Sequence, residues 1–395
     1  MKPLENILVL DLTRVLAGPY CTMLLSDLGA RVIKVEQPGC GDDSRHFGPF
    51  KNDRSGYFLS INRGKESIAV NLKKPEGQEI IRRFAKIADV LVENFRPGAM
   101  EKLGLGYVDL KKLNPGLIYA ASSGFGHTGP WAKKPAYDMI VQAMGGIMSI
   151  TGWPDGPPTR VGASIGDITA ALFTAIGINA ALYQRALTGE GQKIDVAMLD
   201  CQLAILENAL VRYSMTGTSP GPLGARHPTI TPFQAFKTMD SWVIVAIGND
   251  KLWEHFCQSL NLNDLLSDPR FSTNKDRCDR YEELAPLLDR VFIRKTTAEW
   301  EEMLNRIEIP CTRINQIEQV MQNPQLKARN MFMNVEDPVM GELTISGNPI
   351  KMSSFKDELE TLPAPELGEH NESVLTDLLG YTKDEIDNLR ETGVI

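Results

Sequence analysis

No CxxC pair occurs in the sequence. Its six cysteines, Cys21, Cys40, Cys201, Cys257, Cys278 and Cys311, lie far apart, which argues against a zinc site or a disulfide framework and reads them as small buried hydrophobes. Five scattered histidines, His46, His127, His227, His255 and His370, show no ligand spacing, so no metal is expected. Positive charge is in deficit: the net charge of −8 argues against a nucleic-acid partner and leaves room only for a small anion held by a local cluster of bases. No stretch reads as the ~18 apolar residues of a membrane helix, so a soluble chain with no membrane contact is expected. The opening MKPLENILVLDL has no basic n-region, cleavage site or Arg-rich transit pattern, which makes a cytoplasmic location the expectation. Also missing are GxxxxGK[ST], HExxH and GxSxG, which removes the commonest NTPase, metalloprotease and hydrolase readings.

What is present is alternation. ILVLDL (7–12) reads as a strand, AGPYCTMLLSDLG (17–29) as a helix with Pro19 near its start and Gly29 at its end, and RVIKVE (31–36) as a strand. PEGQEIIRRFAKIA (75–88) places Ile80, Ile81, Phe84 and Ile87 at helical spacing; strands DVLVENF (89–95) and LIYAASS (117–123) flank a short helix in PGAMEKLG. Strands alternating with helices imply parallel pairing, hence an α/β doubly wound sheet. A long helix is expected from about Ile168 to Leu187, then strand QKIDVAML and one helix over CQLAILENALVRYSM. Residues 215–232, rich in Gly, Pro, Ser and Thr, read as a loop or domain crossing. A strand pair in FQAFKTMDSWVIVAIG and charged helices follow, to about residue 320, and the last ~70 residues add strand-like VMGELTISG and a helix in TKDEIDNLRETG.

GFGHTG (124–129) matches GxGxxG but is followed by PWAKKPA, which cannot continue the helix that a dinucleotide loop must open, so a tight turn is the better reading. Asp167, in VGASIGDITAAL, stands immediately before a helix of small and apolar residues. Its plain reading is an N-cap. The small residues Gly162, Ala163, Ser164 and Gly166 around it would let a bulky ligand approach, and a carboxylate so placed can act as a nucleophile.

Six blocks taken in order, LDLTRVLAGPYCTMLLSDLGARVIKVEQPG, SIAVNLKKPEG, VENFRPGAMEKLGLGY, GFGHTGP, AYDMIVQAMGG and VGASIGD, resemble the class III CoA-transferases over nearly the whole chain. The resemblance implies a Rossmann-like doubly wound large domain made from both chain ends (1–215 and 325–395), a smaller α+β central domain (225–320) joined by a linker (216–224), and an interlocked homodimer. It also implies that CoA moves from an acyl-CoA donor to a free carboxylic acid, with no permanently bound cofactor and CoA itself as substrate and product. Asp167 is implied as the carboxylate that takes up first the acyl group and then CoA. Contacts to CoA fall on Val15, Leu16 and Ala17, on Val70, Asn71, Leu72 and Lys73, on Asn94, Phe95 and Arg96, and on Lys102, with Gln37, Tyr137 and Asp138 as further site residues.

Two positions depart from the formyl-CoA branch: Gln37 stands where that branch has Arg, and its Lys aligns near Pro135, so Lys133 or Lys134 would substitute. The related α-methylacyl-CoA racemases use His at the position of Tyr137; a tyrosine, with an ordinary pKa of about 10, is a poor base near neutral pH, which favours transfer over racemisation. A non-catalytic CoA-binding protein, with Asp167 merely capping a helix, is the third reading. The loop GPLGARHPTITPFQAFKT (221–238) looks like that of dicarboxylate-using members, with Arg226 or His227 to hold a distal carboxylate.

Overall fold

The protein's structure, a computed structural model, describes residues 2–355 and 360–395. The chain forms two compact units: one from the described parts of Met1–Ile147, Arg160–Val211 and Pro324–Ile395, the other from Met148–Thr159 and Arg212–Asn323.

The first unit is built on six strands, Leu8–Asp11 (β1), Arg31–Glu36 (β2), Glu66–Ala69 (β3), Val90–Glu93 (β4), Ile118–Ser123 (β5) and Lys193–Ala197 (β6), ordered β3-β2-β1-β4-β5-β6 with every pair parallel. Side chains alternate between the faces of a strand, so neighbours in sequence enter different cores. Leu10, Ile33 and Leu91 meet Ile80, Ile81 and Phe84 of helix Pro75–Ile87 on one face, along with Val374, Leu375, Ile386 and Leu389 from the terminal helices Asn371–Leu379 and Lys383–Glu391. Val9, Val32 and Val90 meet the other face, packed on Cys21 and Leu25 of helix Ala17–Asp27 (α1) and on Ala171, Ile178 and Ala181 of helix Ile165–Thr188. Burying each large side chain contributes roughly 1.5–3 kcal/mol, so both faces are needed to hold the sheet.

Helix Asp138–Met144 (α2), helix Ile165–Thr188 (α3) and helix Met198–Ala204 (α4) follow in the chain, with α2, α4 and α1 all packed on α3. Three sequence expectations change here. The long helix starts at Ile165, three residues early, because Ser164 rather than Asp167 holds the N-cap position. At 24 residues α3 is also long and apolar enough to cross a membrane, contrary to the expectation that no such stretch exists; its buried small residues pack on the sheet instead. CQLAILENALVRYSM is not one helix, since α4 ends at Ala204 and a separate helix, Ala209–Thr216, begins beyond a break at which Glu207 has φ +54°. All six cysteines are free; Cys21, Cys201 and Cys257 are buried as expected, but Cys40 is exposed.

The second unit carries a three-stranded antiparallel sheet, Cys311–Arg313 beside Trp242–Ala246 beside Phe233–Lys237. Helices Asp250–Ser259, Tyr281–Phe292 and Thr297–Arg306 close over it around Phe236, Phe256, Phe292 and Trp300.

Candidate active site

In an open parallel sheet, strand order reverses at one point, and the loops leaving the two strands there diverge to opposite faces and open a crevice at their carboxyl ends. Here that point lies between β1 and β4. A cavity sits at it, lined by Arg14, Val15, Leu16 and Ala17 after β1, by Asn94, Phe95, Arg96 and Pro97 after β4, and by Ser122, Ser123 and Gly124 at the end of β5. Asp43, Lys134, Tyr137, Asp167 and Met198 line it as well, with Ala132, Pro135 and Ala136 completing the wall. A larger cavity of about 570 Å³, near Ser26, Gly64 and Met333, contains none of the expected site residues.

The β1–α1 loop is shaped by buried charge. Asp11, at the end of β1, accepts from the hydroxyls of Thr13 (2.5 Å) and Thr22 (2.6 Å) and pairs with Lys65 Nζ at 3.0 Å, both partners fully out of solvent. Burial pushes the Asp11 carboxyl up, but Lys65, Lys34 and the two threonines outweigh it and hold the group well below the usual carboxylate range. Beside this pair, Lys34 donates to the Thr13 carbonyl (2.9 Å) and to Asp42 Oδ2 (2.7 Å), again fully buried. Glu36 receives a bidentate pair from Arg45 at 2.7 Å and a bond from the Ser67 hydroxyl at 2.6 Å. The loop crosses this network with Val15 at φ +70°. A β-branched side chain there costs roughly 1–3 kcal/mol, a strain that persists only where the surroundings over-determine the backbone. At Gly18 an added Cβ would fall 2.2 Å from Thr13 Cβ, so glycine is required for α1 to start this close to the loop.

Asp167 is the third residue of α3, inside its first turn. The capping bond is made from another helix: Asp138 Oδ1 accepts from the Gly166 N–H at 2.8 Å, while its Oδ2 accepts from Gln142 Nε2 at 2.8 Å. Gly166 is small because Asp138 and Val141 press on it; an added Cβ would lie 2.6 Å from Val141 Cγ2. Among the described residues no donor reaches the Asp167 carboxylate, so the N-cap reading of this residue does not hold. Burial, and after it the Asp138 charge, push the Asp167 carboxyl up to about 7. Tyr57 lies close enough that Asp167 adds to the burial raising its phenol to about 12, which keeps that hydroxyl protonated.

Among the other residues singled out from sequence, Val15, Leu16, Ala17, Asn94, Phe95, Arg96 and Tyr137 share the cavity with Asp167. Asp138 is buried behind it. Val70 belongs to the hydrophobic core and Leu72 packs against it, while the Asn71 N–H donates to the Val394 carbonyl at 2.7 Å. Gln37, Lys73 and Lys102 are exposed and do not line the cavity. Of the two lysines offered in place of the one missing at Pro135, Lys134 lines the wall and Lys133 does not. Arg226 lies over the Tyr281 ring at 3.9 Å and His227 stacks on Phe233, both inside the second unit.

Sequence reasoning passed over Arg14, Ser122 and Met198 in the wall, and Tyr57 near Asp167. Ser122 left a usable signal, a polar pair closing the apolar strand LIYAASS; its hydroxyl is buried with no partner.

Known proteins bear on the chain as a whole, independently of the cavity's geometry. The model of CoA-transferase family III matches residues 4–371. An acetyl-CoA:oxalate CoA-transferase from Acetobacter aceti is 45% identical over 368 residues, 93% of each chain. A succinyl-CoA:glutarate CoA-transferase from Mus musculus is 42% identical over 396 residues, covering 100% of this chain and 91% of its own. A crystal structure of a CAIB/BAIF family protein from Brucella suis superposes with a TM-score of 0.84 at 38% identity, covering 95% of this chain and 99% of that one.

Proposed function

Because the chain belongs to CoA-transferase family III, we propose that it exchanges CoA between an acyl-CoA and a free dicarboxylic acid through the carboxylate of Asp167. The observation that carries this reading is an aspartate with no hydrogen-bond donor of its own, facing the cavity at the point where strand order reverses. A carboxylate short of donors keeps its lone pairs available, and partial burial makes it a stronger nucleophile once ionised.

The steps balance without a redox partner. An Asp167 oxygen attacks the donor thioester carbonyl, forming a C–O bond and breaking C–S, and the CoA thiolate leaves an acyl-aspartyl anhydride. The thiolate then attacks the aspartyl carbonyl, breaking the anhydride and releasing the donor acid. Asp167 now carries CoA as a thioester. An acceptor carboxylate repeats both steps in reverse and restores the free aspartate. Thioester is exchanged for thioester, so the chain has only to position the groups and stabilise each oxyanion. The unpartnered Ser122 hydroxyl in the cavity wall is a donor available to an oxyanion, while Arg96 and Lys134 supply positive charge for the phosphates.

The dicarboxylate class is supported by the oxalate- and glutarate-named relatives. With one acyl-CoA donor and a panel of oxalate, succinate, glutarate, formate and acetate, new acyl-CoA should form with the dicarboxylates at least tenfold faster at equal concentration. Turnover confined to formate and acetate would remove the dicarboxylate assignment and leave CoA transfer standing.

We also read the chain as an interlocked homodimer. Leu172, Ile176, Tyr183 and Leu187 form one exposed apolar stripe along α3, and Met139 and Ile140 of α2 are exposed as well, more apolar surface than a lone chain ordinarily leaves to water. Linked chains cannot part without unfolding. Mixed with a mass-labelled copy, the native dimer should therefore show no subunit exchange over hours, and rapid exchange or a monomer at micromolar concentration would refute the linkage.

A further inference from the structure

Five consecutive main-chain polar groups, from Thr13 to Val15, are each bound by a side chain. The Thr13 N–H donates to Asp11 Oδ1 (2.9 Å) and the Thr13 carbonyl accepts from Lys34 Nζ (2.9 Å). The Arg14 N–H donates to Asn94 Oδ1 (3.0 Å), and the Arg14 carbonyl accepts from Asn94 Nδ2 (2.7 Å). The Val15 N–H donates to Asp42 Oδ1 (3.0 Å). A segment of this length ordinarily turns some of these groups to water; here none is left over. The peptide joining Arg14 to Val15 is held at both ends, its carbonyl by Asn94 and its N–H by Asp42. Asp42 is itself fixed, because Oδ2 pairs with buried Lys34 and Oδ1 also accepts from the Ser44 N–H and hydroxyl.

Two features of this arrangement exceed what packing requires. It forces a valine into the left-handed region where glycine or asparagine would sit without strain. It also does so at the residues that form one wall of the Asp167 cavity. We propose that Asn94 and Asp42 are positioning residues that lock the Arg14–Val15 peptide in its left-handed bend, so that the loop meets the CoA moiety as a preformed surface. On this view Asn94 acts on CoA binding through the loop backbone, where both ends of its amide are already engaged. A loop rigid before binding loses less freedom on binding, so releasing it should weaken affinity more than it slows chemistry.

This rests on the reading that the cavity takes CoA, and the test separates the two. Val15→Gly, Asn94→Ala and the double variant are melted without ligand, and KM and kcat for acyl-CoA are measured on each. If Asn94 holds the bend, Val15→Gly shifts Tm by ~2–4 °C more favourably in the wild-type background than beside Asn94→Ala, where the valine has already relaxed. Asn94→Ala should raise KM about tenfold with a smaller fall in kcat, and Asn94→Asp, which keeps the acceptor for the Arg14 N–H and loses the donor to its carbonyl, should fall between. Equal Tm shifts in both backgrounds with normal saturation by acyl-CoA would overturn the proposal and leave the cavity reading intact. A wild-type chain that does not saturate with acyl-CoA would overturn both.

Discussion

Replacing Asp167 with Asn should reduce turnover by at least about 10⁴-fold, while the protein stays folded and, above neutral pH, melts higher than wild type. The amide has nearly the same shape but no anionic oxygen to attack a thioester, and losses of this order accompany removal of a covalent nucleophile. Intact mass after incubation with acyl-CoA should show an adduct of CoA on wild type and none on the variant. The stability gain follows from the raised carboxyl. A folded-state value of about 7 against an unfolded one near 4 means that the folded chain keeps a proton the unfolded chain has lost, so stability falls as pH rises across that window. The neutral amide carries no such liability: the variant's Tm should exceed wild type at pH 8 and match it near pH 4. The same titration predicts that wild-type kcat/KM falls below an apparent pKa near 7, and that Asp138→Asn moves this limb to lower pH by removing the neighbouring charge. A flat acid limb, or a variant with a tenth of wild-type activity, would rule out Asp167 as the nucleophile.

Lys65→Met should destabilise the fold by about 3–5 kcal/mol in urea titration at pH 7. The ammonium is fully buried, and its three protons are shared among four acceptors at 2.8–3.0 Å: Asp11 Oδ2, Thr22 Oγ1, Asn62 Oδ1 and the Pro19 carbonyl. Methionine fills much of the volume but leaves Asp11 as an unpaired carboxylate out of water. Adding Asp11→Asn to Lys65→Met should recover part of the loss, because an amide oxygen at the Oδ1 position still accepts from Thr13, the amide nitrogen at the Oδ2 position can donate to Thr22 Oγ1, and no charge is left unpaired. Deprived of Lys65, Asp11 would hold a proton to higher pH, so the single variant's deficit should shrink as pH falls toward 4. A loss under about 1 kcal/mol would mean that water reaches the pair.

The strand–helix alternation was readable because apolar strands and an amphipathic helix such as Pro75–Ile87 follow local periods that packing then rewards. The start of α3 was misjudged for a local reason as well: Ser164, Gly166 and Asp167 are all cap-type residues, and only Asp138, 28 positions away, decides which amide is capped. The break at Glu207 has no Gly or Pro to announce it. In the candidate site, the loops after β1 and β4 came from resemblance, whereas the buried charges behind them went unnoticed because Lys34 and Glu36 sit in RVIKVE like ordinary surface residues. Their partners, Asp42 and Arg45, are near in sequence, but only the sheet turns the lysine and the glutamate inward. Lys73 and Lys102 show the converse, since charge type alone does not say which bases gather at one mouth.

The helices of residues 371–395 complete the same core as Ile80 and Phe84, with the second unit's Arg212–Asn323 lying between in the chain. During synthesis, therefore, the strands that come first leave the ribosome with one face only partly covered, by helix Pro75–Ile87, and wait through the whole intervening stretch for the rest of their lid. The later-made unit, whose Phe236, Phe292 and Trp300 lie within one continuous segment, can finish first. The order of birth and the order of maturation run opposite ways, and the nascent first half is the part that most needs shielding from premature association.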